Sequence, residues 1–297
     1  LDVRVSNLPT VNGEKCVIRI LATGDVGVRK ITDLGMTPYN YDRFSRLIKV
    51  PQGVMLVTGP TGSGKTTTLY AALGELAKPN VNVITVEDPV EKNIEGINQC
   101  QVNAKAGMTF AAALRSILRQ DPDIVMVGEM RDQETAEIAI RAAITGHMVL
   151  STLHTNDAAS TITRLVDMGV APYMVATSLI GIVAQRLCKV VCNECKTPRM
   201  STPEENELLG ITESATIYDA CGCPKCNNTG YTGRTAIHEI LLCTHEMASL
   251  IAADGKVDAI SSLAKEQGCK LLRDNVAELV LEGRTTLDEL VKLTFAV

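Results

Sequence analysis

Between residues 50 and 155 the chain repeats one arrangement four times. A short apolar run is closed by a polar or acidic residue, and apolar positions at helical spacing follow. The runs are Gly53–Thr58 and residues 82–89, 123–129 and 146–155. Continuous apolar runs bounded by turn residues mark strands buried on both faces. Strands that alternate with helices mark a parallel sheet, so the expected class is α/β. The intervening periodicity predicts helices over residues 67–77, 109–120 and 133–144, with Pro79, Asn80 and Pro122 as breaks.

Outside this region the pattern changes. Residues 1–21 alternate, with Val3, Val5, Val17, Ile18 and Ile20 on either side of Asn12 and Gly13, and read as a hairpin of sheet. Residues 24–35 read as a connection, and residues 39–49 as a helix stopped by Pro51. Residues 161–187 carry helical spacing. Residues 244–297 read as amphipathic helix broken at Gly255, Gly268 and Gly283.

The first strand–helix junction carries chemistry. Gly59, Pro60, Thr61, Gly62, Ser63, Gly64, Lys65 and Thr66 fill the pattern G-x-x-x-x-G-K-[ST] between a strand and a helix, the context that makes a phosphate-binding loop. The glycines let successive N–H groups turn inward, and the positive end of the next helix adds to them. Lys65 is expected to reach the β- and γ-phosphates, and the Thr66 hydroxyl a Mg²⁺ ion. The other strands end in candidate partners. Glu87 and Asp88 close the second, with Glu91 beyond; they serve a solvated loop or the phosphate site. Glu129 closes the third, with Gly128 where an Asp often stands, which leaves Glu129 as the base. His147 and His154 flank the fourth, although an isolated histidine is more often structural than catalytic.

Cysteine spacing adds a second site. Cys192 and Cys195 form one C-x-x-C pair, and Cys223 and Cys226 another. Two such pairs are a structural zinc signature. Cys188 and Cys221 lack that spacing and are expected to be dispensable.

Composition narrows the reading. The 297 residues are 45% hydrophobic and 21% charged, as in a soluble globular protein, with a net charge of −5. That balance argues against a nucleic-acid binder, which needs a basic surface. No apolar run spans a bilayer: the best, residues 178–184, stops at Gln185 and Arg186. Ten cysteines beside a nucleotide site point to a reducing compartment. The chain begins without Met, in mid-pattern, and reads as truncated at its N-terminus.

Taken together, these motifs resemble the secretion ATPases that power type II secretion and type IV pilus assembly. The resemblance covers nearly the whole chain. Residues 4–10 with Gly13, Lys15 and Arg19 match the end of that family's second N-terminal domain. Residues 84–91 resemble its Asp box, and residues 118–123 leading to Gly128, Glu129, Arg131 and Asp132 its Walker B region. Residues 145–155 resemble its His box, and the four cysteines its zinc module. The glycine at 128 is the family's own form.

The resemblance implies a RecA-like P-loop ATPase core with a short N-terminal β segment, a tetracysteine zinc module and a helical C-terminal region. The expected boundaries are 1–28, 29–190, 191–230 and 231–297. It implies nucleotide contacts from Gly59, Pro60, Thr61, Gly62, Ser63, Gly64, Lys65, Thr66 and Thr67, from His154, and from Arg4, Arg19, Arg115, Arg119 and Arg131. Lys65, Glu87 and Glu129 are the expected catalytic residues, and Thr66, Glu87 and Glu129 hold Mg²⁺; the roles of Glu87 and Glu129 are not divided. ATP, Mg²⁺ and Zn²⁺ are the expected cofactors. Family members work as hexamers on the cytoplasmic face of the inner membrane, against a polytopic platform protein, and truncation is expected to impair assembly. The pilus and secretion branches share every motif, although residues 268–274 look closer to the pilus branch. The alternatives are a nucleic-acid translocase of related fold, a pilus-retraction ATPase, whose relatives lack the paired cysteines, and a zinc-stabilised nucleotide-binding scaffold.

Overall fold

The computed structural model describes residues 2–21 and 29–295. Strands β1 (Asp2–Thr10) and β2 (Gly13–Leu21) form the expected antiparallel hairpin, with Thr10 opposite Gly13 and Arg4 opposite Arg19. The side chains of Arg4 and Arg19, and residues 22–28 of the expected connection, lie outside what is described.

The core runs through α1 (Pro38–Leu47), β3 (Gly53–Thr58), α2 (Lys65–Leu76), β4 (Val83–Glu87), β5 (Asn98–Gln101), α3 (Phe110–Ile117), β6 (Ile124–Val127), α4 (Gln133–Ile144) and β7 (Met148–Leu153). It continues with α5 (Ala158–Asp167), α6 (Pro172–Ser178) and β8 (Leu179–Val191). After a small excursion of β9 (Thr197–Met200), α7 (Pro203–Leu209) and β10 (Thr216–Asp219), β11 (Tyr231–Leu242) returns to the sheet. Helices α8 (His245–Ala252), α9 (Val257–Glu266), α10 (Leu272–Leu281) and α11 (Leu287–Phe295) follow. The seven-stranded sheet has the order β11-β8-β3-β7-β6-β4-β5. All neighbours are parallel except β11, which runs antiparallel to β8.

Burial on both faces explains the apolar runs. Val54 and Leu56 of β3 join one core with Leu114, Ile140 and Leu165, whereas Met55 and Val57 join the other with Phe44, Leu69 and Leu73. A strand covered on both sides keeps no alternation.

The same fact explains a correction. Residues 161–187 are not one helical stretch: α5 ends at Asp167, α6 at Ser178, and residues 179–191 are β8. Ile182, Val183 and Ala184 are fully buried, so period-2 spacing is erased and an apolar run cannot be told from a buried helix. Gly181 marks the strand instead: a Cβ there would sit 2.8 Å from Leu241 O on β11. Likewise, the region from residue 231 opens with β11 and becomes helical only at His245. The cysteine excursion is therefore inserted between two strands of one sheet.

Buried polar contacts hold the C-terminal helices to the core. Asn40 Nδ2 on α1 donates to His238 O (2.8 Å) and to Asn275 Oδ1 (2.9 Å), and Arg43 Nε donates to Ile240 O (3.2 Å). The Glu239 carboxylate accepts from Ala158 N (2.9 Å) and Leu272 N (3.1 Å), so one side chain caps α5 and α10 together. Among the described residues no helix is long and apolar enough to cross a membrane.

Candidate nucleotide site and metal centre

Parallel α/β sheets place their ligands at the carboxyl ends of the strands. Four motifs meet at that edge: the loop after β3, Glu87 at the end of β4, Glu129 after β6 and His154 after β7. The loop of residues 59–64 leads into α2 through Gly64, a left-handed N-cap (φ +89°) with no side-chain cap, so the first N–H groups of α2 stay free for an anion. Lys65 is buried, and its Nζ donates to Gly59 O (2.8 Å) and Pro60 O (3.1 Å). Burial pulls the Lys65 pKa down, and the Glu129 carboxylate opposes that shift. Thr66 and Thr67 occupy the first turn of α2.

Glu129 is the centre of a small charged cluster. Its Oε1 accepts from Arg131 at 2.6 Å, and its Oε2 lies 3.5 Å from His154 Nε2. Its side chain keeps 13% exposure, so the cluster opens at the surface. The hydrogen bond from Arg131 raises the pKa of that guanidinium. Burial, and then the Lys65 charge, lower the His154 pKa, with Glu129 opposing, which favours the neutral imidazole. β7 fixes both loops: Thr152 Oγ1 donates to Gly128 O (2.7 Å), and Thr155 N donates to Thr58 Oγ1 (3.1 Å). Gly128 has a local reason, since a Cβ there would lie 3.3 Å from Val86 O and 3.4 Å from Glu87 Cα.

The structure separates the two candidate acids. Glu87 is only 3% exposed, and its carboxylate is taken up by Thr85 Oγ1 (2.6 Å), Gln99 Nε2 (3.1 Å) and Tyr70 OH (2.5 Å). It braces α2 and β5 against β4 and leaves the open position to Glu129. Arg115 and Arg119 are not drawn into the cluster. Arg115 pairs with Glu134 at the start of α4, and Arg119 donates to Arg115 O (2.9 Å) on its own helix. His147 lies at the opposite end of β7, where its Nδ1 is 2.9 Å from Ala142 O, and is structural.

The sequence reading missed Gln185 of β8, which packs against the loop of residues 59–64. Gln185 and Arg186 were visible there only as the polar end of an apolar run. Arg186 is buried as well, and its guanidinium donates to Asn156 Oδ1 (3.2 Å), beyond the His154 loop.

The four expected cysteines converge. One ligand sulfur from each of Cys192, Cys195, Cys223 and Cys226 lies within 4.8 Å of the others. Sulfur–sulfur distances of 3.9 Å (Cys192–Cys223 and Cys195–Cys226) and 3.8 Å (Cys223–Cys226) match the edge of a tetrahedron, about 3.8 Å, drawn around a zinc ion at about 2.3 Å. Gly222 N donates to Cys195 Sγ, and Cys223 N and Gly230 N donate to Cys226 Sγ, each at 3.2 Å. Burial works against ionisation of Cys226, but the N–H groups of Cys223 and Gly230, together with the Cys223 and Cys195 thiols, pull the thiol down. The donor set fits a closed structural zinc site. It sits at the open end of the β8–β11 pair, between Val191 and Tyr231, and clamps the base of the excursion. Cys188 is buried with its Sγ 3.1 Å from Thr285 Oγ1, and Cys221 pairs with Thr197, so neither joins the cluster.

One prediction follows from this geometry. Metal analysis should find about one zinc per chain, and Cys223→Ser should lose it, whereas Cys188→Ser should retain it. Zinc held equally well by Cys223→Ser would contradict the assignment.

Comparison with known proteins converges on one family. A family profile described as "Type II/IV secretion system protein" matches residues 1–292. The chain is 48% identical over 296 residues to a protein of Vibrio cholerae named type II secretion system ATPase E, covering 99% of this chain and 58% of that protein. It is 49% identical over 298 residues to the type IV pilus assembly ATPase PilB of Thermus thermophilus, covering 99% of this chain and 33% of that protein. Among solved structures it resembles the pilus retraction motor PilT with bound ADP, with a TM-score of 0.72 and 29% identity over 98% of this chain and 73% of that one. The Legionella pneumophila ATPase DotB shares the fold, with a TM-score of 0.71 and 22% identity over 99% of this chain and 73% of that one.

Proposed function

This chain belongs to the type II/IV secretion system protein family, and on that premise we propose that it hydrolyses ATP as part of a motor that assembles a type IV pilus or a type II secretion pseudopilus. The observation that carries the reading is the meeting of Lys65, Glu129, Arg131 and His154 at one sheet edge beside the free N-terminus of α2. Relatives of nearly half identity bear assembly and secretion names, whereas the retraction motor is 29% identical, which favours assembly over retraction.

Phosphoryl transfer needs positioning and charge neutralisation more than covalent chemistry. The N–H groups of Gly62, Gly64, Lys65 and Thr66 and Lys65 Nζ would hold the β- and γ-phosphates, while the Ser63 N–H stays on Pro60 O. Thr66 would ligate Mg²⁺, which supplies further charge at the phosphates when bound. Glu129 would orient and deprotonate the attacking water, because its carboxylate is open while that of Glu87 is enclosed. Arg131 and His154 hold the Glu129 carboxylate in place. Arg4 and Arg19 would reach the phosphates when their domain closes over the nucleotide. Arg115 and Arg119 are engaged elsewhere in this chain, so they would contribute only from a changed arrangement or across a subunit boundary.

We assign the ATPase unit to residues 29–190 together with β11, the zinc module to residues 191–230, and the remaining C-terminal helices to the support of both. We expect a homohexamer at the cytoplasmic face of the inner membrane, acting on a platform protein, without nucleic acid. Phosphate release from Mg·ATP tests the reading. Release that is independent of single-stranded DNA is the expected result. Nucleotide binding without release would indicate a scaffold, and stimulation by DNA with a steep salt dependence would indicate a translocase.

A further inference from the structure

We propose that Gln185 is the positioning residue of the phosphate loop: it orients the Ser63–Gly64 peptide, where the loop enters α2, so that an N–H group faces the nucleotide. The inference rests on the nucleotide-binding reading above. Gln185 is 2% exposed and uses both ends of its amide. Nε2 donates to Ser63 O at 2.7 Å, and Oε1 accepts from Thr68 Oγ1 at 2.6 Å. One side chain thus joins the loop, the first turn of α2 and β8.

The consequence follows from peptide geometry. In a planar trans peptide the C=O of one residue and the N–H of the next point in opposite directions. Holding Ser63 O toward Gln185 turns the Gly64 N–H away from β8, toward the inside of the loop. In a G-x-x-x-x-G-K-[ST] loop that is where a phosphate binds. Without the amide, this peptide would be free to rotate, because Gly64 on its far side has wide conformational freedom. The amide therefore pre-organises a donor whose ordering a ligand would otherwise have to supply.

The close approach of β8 accounts for part of the glycine pattern. A Cβ on Gly59 would fall 2.2 Å from Gln185 O, and one on Gly64 would fall 2.8 Å from Gln185 Nε2. A Cβ on Gly62 would meet nothing within 4 Å. Gly59 is thus required by the close approach of the β8 backbone as well as by the turn of the loop, and Gly64 leaves the room that the Gln185 amide occupies.

The arrangement makes the two halves of the amide unequal. The bond to Ser63 O acts on the peptide that faces the ligand. The bond from Thr68 anchors the amide to α2 and fixes which end faces the loop. Loss of the first bond should therefore weaken binding more than loss of the second. Gln185→Met keeps the length and removes both bonds. Gln185→Glu keeps an acceptor for Thr68, removes the donor to Ser63 O and sets a negative charge beside that carbonyl. Thr68→Val removes only the anchoring bond.

Calorimetric titration with ADP, with melting temperatures in parallel, tests the proposal. Gln185→Met should weaken ADP binding about tenfold, Gln185→Glu at least as much, and Thr68→Val within about threefold. With ATP, the loss at Gln185 should fall more on KM than on kcat, because the N–H holds ground state and transition state alike. Wild-type ADP affinity in folded Gln185→Met and Gln185→Glu would overturn the proposal, as would a fall in melting temperature with no change in affinity. Failure of the wild-type chain to bind ADP would instead overturn the nucleotide-binding reading, so the two failures are distinguishable.

Discussion

Glu129→Gln should bind ATP with nearly wild-type affinity and lose turnover by about a hundredfold to ten-thousandfold, the usual contribution of a general base. The amide keeps the shape of the side chain and an oxygen for Arg131, but it cannot take a proton from water. The structure supports Glu129 in this role because its carboxylate lies open at the sheet edge, held from two sides by Arg131 and His154. Glu87, by contrast, is enclosed by Thr85, Gln99 and Tyr70. A second effect has a definite sign. Burial lowers the Lys65 pKa and Glu129 opposes that lowering, so removal of the charge at 129 lowers the Lys65 pKa further. As pH rises, the ATP affinity of Glu129→Gln should therefore fall at lower pH than that of the wild type. Phosphate release and ATP affinity measured across a pH series check both effects. Turnover within about threefold of the wild type would remove Glu129 from the role and transfer it to Glu87.

Lys65→Ala should weaken ADP and ATP binding by about a hundredfold, the size of a strong charge-assisted contact to phosphate. Lys65 Nζ already lies on the carbonyls of Gly59 and Pro60, at the mouth of the loop. A phosphate entering the loop competes with those carbonyls for the ammonium, so the cation is drawn off Gly59 O as the phosphate binds. Lys65→Met separates charge from packing, since it keeps most of the buried methylene stem. Both variants should lose affinity equally while the melting temperature of Lys65→Met stays close to that of the wild type. ADP binding at wild-type strength in Lys65→Met would show that the loop does not hold phosphate through this residue.

Much of this site was legible in the sequence because its parts are local. A phosphate loop is a backbone device written in consecutive residues, and Gly59 to Thr66 could be read directly. Glu129 and His154 were legible because each closes an apolar strand, and a strand end in a parallel sheet is a predictable place. The cysteine pairs were legible from spacing, and all four sulfurs converge. What depended on distant neighbours was not legible. β8 lost its alternation to burial on both faces and so read as helix, which hid β11 as its partner. Gln185 meets Ser63 across 122 residues, through the pairing of β8 with β3. The enclosure of Glu87 depends on Tyr70 and Gln99, which tertiary packing delivers. Arg115 also had an unforeseen partner, Glu134 on the neighbouring helix.

The structure of this chain with ADP and Mg²⁺ tests the central claim most directly. The β-phosphate should lie inside the loop, within hydrogen-bond distance of the Gly64 N–H and of Lys65 Nζ drawn away from Gly59 O, with Ser63 O still on Gln185 Nε2 and Glu129 facing the open side. Nucleotide bound elsewhere, or Lys65 still on its own loop carbonyls with ADP in place, would contradict it.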